Sequence, residues 1–195
     1  MQHEAWCPPS PRTRPASAPS MSRRHCLLAV GVAGLLGALR AHAQPASAAA
    51  EEAQAPALPA LGSLLHLPPI TLLDGTVFDP SSRAGQPLLV YWWSSTCPFC
   101  ALQSPSMDKL WKSQQLKGLR MVALSIDRKS EDAAAYLHQR GYTFPAAWAS
   151  PAWRKGFPKP KGLPITLLSG RDGRLVLAEK GQMFAEDVEA IADLI

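Results

Sequence analysis

Four cysteines occur in the 195 residues, at Cys7, Cys26, Cys97 and Cys100. The last two stand as Cys97-Pro98-Phe99-Cys100, and a C-x-x-C pair can do three kinds of chemistry. It can exchange electrons with a disulfide, supply half of a zinc site, or close a static bridge. Structural zinc takes four ligands. Beyond residue 43 the chain offers only this pair with His66 and His138. A static bridge around so small a loop adds little stability, because the entropy it removes from the unfolded chain grows with loop length. Redox exchange is therefore the first expectation.

That chemistry needs a thiol held as a thiolate. Cys97 follows a strand-like run and opens a helix-like one, where unpaired backbone N–H groups and the positive end of the helix dipole favour an anion. Its pKa is expected to fall below the free value of ~8.5, toward ~7. Cys97 is thus the candidate nucleophile, and Cys100, one turn later and more buried, the candidate resolving thiol. Pro98 and Phe99 between them add no charge to the site.

The elements that must place this pair are legible as patterns. Pro87 to Trp93 is a continuous apolar run bounded by turn residues, as expected for a strand buried on both faces. From Pro98 to about Leu116 the pattern is helical, with Leu102, Met107, Leu110 and Trp111 as its apolar stripe and Pro105 as a bend. Leu119 to Ile126 reads as a second buried strand. A helix over Glu131 to Arg140, ended by Gly141, and a short strand over Phe144 to Trp148 follow. Pro151 to Lys161 holds three prolines and reads as loop or broken helix. Hairpins are expected around Asp74-Gly75 and around Asp172-Gly173. An amphipathic helix from Ala185 to Ile195 should bury Val188, Ile191, Leu194 and Ile195. Alternating strands and helices imply an α/β domain with a central mixed sheet, helices on both faces and an added N-terminal β-hairpin.

The first 43 residues have a different character. Met21-Ser22-Arg23-Arg24 precedes an apolar run from Cys26 to Leu39, which is shorter than the ~20 residues of a membrane span. Ala41-His42-Ala43 is a small-residue cleavage pattern, so a signal peptide cut after Ala43 is expected, with translation starting at Met21. The two arginines fit an ordinary positive region or twin-arginine export. Attachment to a membrane is expected only if this segment stays uncleaved. Residues 44–60, rich in Ala, Pro and Glu, read as a flexible linker, and 61–195 as the folded domain.

Charge excludes one partner class. The formal net charge is +5, but five arginines and one glutamate precede residue 44. Without them the remaining 15 basic and 14 acidic residues leave +1. With no basic stripe to neutralise phosphates, a nucleic-acid partner is not expected.

Several motifs in order carry a resemblance. Tyr91-Trp92-Trp93-Ser94-Ser95-Thr96-Cys97-Pro98-Phe99-Cys100, Pro105, Val122 to Asp127, Gly162-Leu163-Pro164 and Asp172-Gly173 together resemble the TlpA/ResA-like thioredoxin family, over about Leu61 to Ile195. The resemblance implies a thioredoxin-like fold and a cis-proline at Pro164 facing the cysteines. It also implies protein disulfide or dithiol substrates touching Leu163, Trp93, Pro98 and Phe99. No cofactor or metal is expected. Reductants for cytochrome c maturation belong to that family, so a periplasmic reductant recharged by a membrane thiol donor is the expected role. The rivals are a disulfide oxidase or isomerase on the same fold, and a copper-binding assembly protein using the two thiolates with His138. The chain departs from the family pattern at Thr96, where Trp is common, at Gln103, where many members carry a Glu that can take a proton, and at Ile165, often Thr. Tyr91 stands where thioredoxins proper have a buried Asp.

Overall fold

The computed structural model of the protein describes residues 44–83 and 85–195. The expected signal peptide, the start at Met21 and the cut after Ala43 lie outside the described residues.

The strands and helices follow the apolar patterning closely. β1 (Ile70–Thr71) and β2 (Val77–Phe78) form the small N-terminal hairpin. β3 (Leu88–Trp93), β4 (Arg120–Ser125), β5 (Ala146–Trp148), β6 (Ile165–Ser169) and β7 (Leu175–Lys180) make the main sheet. Their order across it is β5-β4-β3-β6-β7. β3 pairs parallel with β4 and antiparallel with β6, and β4 pairs parallel with β5. The hairpin attaches to the β5 edge through a Leu72–Ala147 bridge.

All six residues of β3 are buried, which explains its unbroken apolar run. Its side chains alternate between two cores. Leu89, Tyr91 and Trp93 point to one face, where they meet Met107 and Leu110 of α2 (Pro98–Gln114), Ala133 and Leu137 of α3 (Ser130–Arg140), and Val188 of α4 (Ala185–Ala190). Leu88, Val90 and Trp92 point to the other, against Ile70 and Phe78 of the hairpin and Trp153 of a 3-10 helix, Trp153–Lys155. Trp92 stacks on Phe157 with ring centroids 5.8 Å apart and 9° between planes.

Three expectations need correction. Residues 44–60 do not all form a loose tether: Gln44–Gln54 is a helix, α1. Glu51 bonds Arg154 at 2.9 Å, and Glu52 accepts from Lys159 at 2.9 Å and from the Gly162 N–H at 2.6 Å. The Pro56 carbonyl takes the Lys161 N–H. An Ala-rich stretch is a good helix former, and its two glutamates find basic partners that sequence spacing does not reveal. Burial alone would raise the Glu52 pKa, but Lys159 and the Gly162 N–H outweigh it and hold the carboxyl below its usual range.

The stripe on α2 is also not the apolar one. Leu102 is 63 % exposed, while Gln103, Ser104 and Asp108 are buried beside Met107 and Leu110. Polar side chains can line a buried face when each has a partner, as these do. The last helix is shorter than expected. It passes into a 3-10 turn over Ile191–Leu194, which leaves Leu194 47 % exposed while Val188 and Ile191 are buried.

Asp108 shows what such a partner is worth. Its Oδ1 accepts the Thr143 N–H at 2.6 Å, the Thr143 hydroxyl at 3.1 Å and the Phe144 N–H at 3.3 Å, and its Oδ2 pairs with Lys112. It thereby ties α2 to the segment leading into β5. Burial pushes its pKa up, but Lys112 and Thr143 prevail and hold it below the ordinary aspartate value. A folded-state pKa below the unfolded one gives stability that is full above about pH 4 and is lost as pH falls through the folded value. Asp108→Ala is expected to lower unfolding free energy by about 2 kcal/mol. The difference from wild type should shrink on acidification, a trend that urea titrations at pH 7 and pH 3 would measure. An equal difference at both pH values would contradict this account.

Candidate active site

The site lies at the carboxyl end of β3. Four residues after Trp93 the chain reaches Cys97, the N-cap of α2, with Pro98 at the helix start. Proline suits that place because its missing N–H is one the helix could not use. Cys97 and Cys100 form a disulfide with Cα atoms 5.2 Å apart. Cys97 is partly exposed and Cys100 fully buried. The Cys100 N–H points at the Cys97 Sγ, 3.2 Å away. In the reduced protein that N–H and the helix end would stabilise a thiolate on Cys97, the thiol a partner can reach. Full burial disfavours charge on Cys100.

The other expected site residues divide. Pro98 is exposed and Phe99 is 56 % exposed, so both stand on the surface beside Cys97. The Leu163–Pro164 peptide bond is cis, and Leu163 packs against the same core cluster as Cys97 and Cys100. Trp93 requires a correction as a substrate contact. It is fully buried, enclosed by Tyr136 and Phe144, because β3 is covered on both sides; it supports the cysteines from within. His138 is exposed in the last turn of α3. Among the described residues no cluster of three or more His, Cys, Asp or Glu is placed to hold a metal ion.

Two departures from the family pattern acquire structural meaning. Gln103 is buried, donating through Nε2 to the Thr166 hydroxyl and accepting the Met183 N–H at Oε1, both at 2.9 Å. A residue that cannot carry a proton instead staples α2 to β6 and to the segment before α4. The Tyr91 hydroxyl lies 3.3 Å from the Cys100 carbonyl and 3.2 Å from Ser104 Oγ. Burial raises its pKa well above the ordinary phenol value, so it stays protonated and serves as a donor rather than a base.

One buried group near the pair escaped the sequence reading of the site. Asp127, just beyond β4, is 8 % exposed. It bonds Ser94 and Ser95 of the turn that leads to Cys97. Parallel pairing of β3 with β4 places Trp93 beside Ser125, so residues just past both strand ends are neighbours. The signal lies in that register, not in any local motif.

Known proteins give a consistent picture. The family model described as Redoxin matches residues 55–189. The thiol-disulfide oxidoreductase ResA of Bacillus thuringiensis (strain Al Hakam) is 25 % identical over 120 residues, covering 62 % of this chain and 69 % of that protein. The soluble secreted antigen MPT53 of Mycobacterium bovis is 38 % identical over 40 residues, 20 % of this chain and 23 % of its own. A crystal structure of a thiol:disulfide interchange protein of Chlorobium tepidum, described as DsbE, superposes with a TM-score of 0.59. It is 26 % identical and covers 69 % of this chain and 94 % of its own.

Proposed function

Since the chain belongs to the redoxin family, as a TlpA/ResA-like thiol–disulfide oxidoreductase of thioredoxin fold, we propose that it is an exported reductant of protein disulfides working through Cys97 and Cys100. The observation that carries this reading is the asymmetry of the pair. Cys97 is reachable and sits before a helix N-terminus, and Cys100 is sealed one turn behind it.

The steps follow from that asymmetry. The Cys97 thiolate attacks one sulfur of a substrate disulfide, and the other sulfur leaves as a thiolate. Cys100, once deprotonated, attacks the Cys97 sulfur of the mixed disulfide and releases the second substrate thiol. Two electrons have then passed to the substrate, and the protein holds the Cys97–Cys100 disulfide. An extended substrate segment would lie against the exposed Pro98 and Phe99 and the half-buried Leu163, with Pro164 buried beneath. A dithiol donor in the membrane would return the pair to the reduced state. Export is supported by the signal-like residues 21–43 and by the secreted relative, and cytochrome c maturation is the role the resemblance favours. The first turn of α2 carries no acidic side chain beside the pair.

The reduction potential of the purified protein, equilibrated against glutathione or dithiothreitol, tests the direction. A value near the thioredoxin figure of roughly −270 mV is expected. A value near roughly −120 mV would make the protein a disulfide donor and end the reductant reading.

A further inference from the structure

Four residues, Ser94 to Cys97, join the last residue of β3 to the first turn of α2, and every one of them is tied. The Asp127 carboxylate is the hub. Its Oδ1 accepts the Ser94 hydroxyl at 2.8 Å, the Ser95 N–H at 3.0 Å and the Ser95 hydroxyl at 2.9 Å. Its Oδ2 accepts the Ser125 hydroxyl at 2.7 Å and lies 3.2 Å from the Ser95 N–H. Asp127 is itself fixed. Its N–H donates to Ser125 Oγ at 3.0 Å, and its carbonyl accepts from Trp148 Nε1 at 2.7 Å.

These bonds set the direction of the next ones. The single hydroxyl hydrogen of Ser94 goes to Asp127, so in the 3.0 Å contact between Ser94 Oγ and Thr96 Oγ1 the threonine is the donor. The Thr96 N–H also reaches Ser94 Oγ, at 3.3 Å, and the Cys97 N–H donates to the Ser94 carbonyl at 3.2 Å. A chain of oriented bonds therefore runs from Asp127 through Ser94 to the residue before Cys97 and to Cys97 itself. A carboxylate suits the hub, because both its oxygens can accept from the four donors around it. An amide there would turn an N–H₂ group toward donors.

Building on the thiol-exchange reading above, we propose that Asp127 is a positioning residue for the redox pair. Its carboxylate holds the Ser94–Thr96 turn so that Cys97 stays at the N-cap of α2 with its sulfur before the Cys100 N–H. It acts through the turn and touches neither sulfur in this role. Two effects of the same group then oppose each other. As a nearby negative charge it would raise the Cys97 pKa, and as a clamp it lowers that pKa by keeping the thiol at the helix end. The clamp prevails.

The sign of one measurement decides. The Cys97 thiol pKa is read from the pH dependence of alkylation at Cys97, followed on its own peptide by mass, in the reduced full chain of wild type and Asp127→Asn. The expected result is a rise of about half a unit to one unit, with exchange at pH 7 slowed about threefold to tenfold. A folded variant whose Cys97 pKa falls or stays unchanged overturns the proposal, since the charge and not the clamp would then dominate. If Asp127→Asn does not fold, Ser95→Ala decides by the same criterion. It removes one hydroxyl–carboxylate bond from a partly exposed residue, and a smaller rise is expected. Alkylation needs no substrate. A wild-type protein that reduces no protein disulfide would defeat the functional reading and leave the Asp127 result standing.

Discussion

Cys97→Ser is expected to reduce disulfide exchange to the background of free thiols, a loss of roughly a thousandfold or more. Cys100→Ser should behave differently. It keeps the reachable thiol and loses the one that resolves, so it should accumulate a covalent complex with substrate. The reason is geometric. Cys97 is at the surface with the Cys100 N–H aimed at its sulfur, while Cys100 has no exposure at all. Incubating each variant with a disulfide-containing protein, then measuring intact mass without reductant, separates the two. Adducts on Cys100→Ser alone are the expected pattern. Adducts on Cys97→Ser alone would exchange the two roles and refute the assignment.

The second large effect belongs to the fold. Trp92→Ala should cost about 3–5 kcal/mol of unfolding free energy. Trp92 is fully buried in β3, stacked on Phe157 and tilted against Trp153, so truncation opens a large void between sheet and loop. Trp92→Phe should cost less than about 1.5 kcal/mol, despite its lost volume. The indole Nε1 of Trp92 is buried without a hydrogen-bond partner. Removing an unpaired buried donor returns about 1–3 kcal/mol, which offsets much of the packing loss. Urea unfolding of the oxidised proteins measures both. A Phe variant as unstable as the Ala variant would show that the nitrogen is satisfied after all.

The succession of strands and helices along the chain and the cysteine pair were legible because their signals are local. β3 is apolar at every position, and Cys97 stands where a strand run gives way to a helix run. What stayed hidden depends on partners distant in sequence. Gln103 looks like the loss of a base until Thr166 and Met183 are seen beside it. Leu102 looks like core until Asp108 and Ser104 are found satisfied on the face it should occupy. Trp93, at the end of a strand, looks free to meet a substrate, yet Tyr136 and Phe144 close over it. Glu51 and Glu52 look like solvated charges of a tether until Arg154, Lys159 and Gly162 supply their partners.

The place of β3 in the sheet also governs the order in which the site comes into being. Leu88 pairs with Arg120 on one side and with Ser169 on the other. A chain that emerges with its N-terminus first can close the β3–β4 pair and its connecting helix α2 early, since those contacts span little sequence. The β6 pairing needs the last part of the chain, and closing distant contacts is slow. Leu163 and Pro164 arrive only with β6. The contacts that set Cys97 and Cys100 beside β3 and β4 thus span less of the chain than those that bring up Leu163 and Pro164.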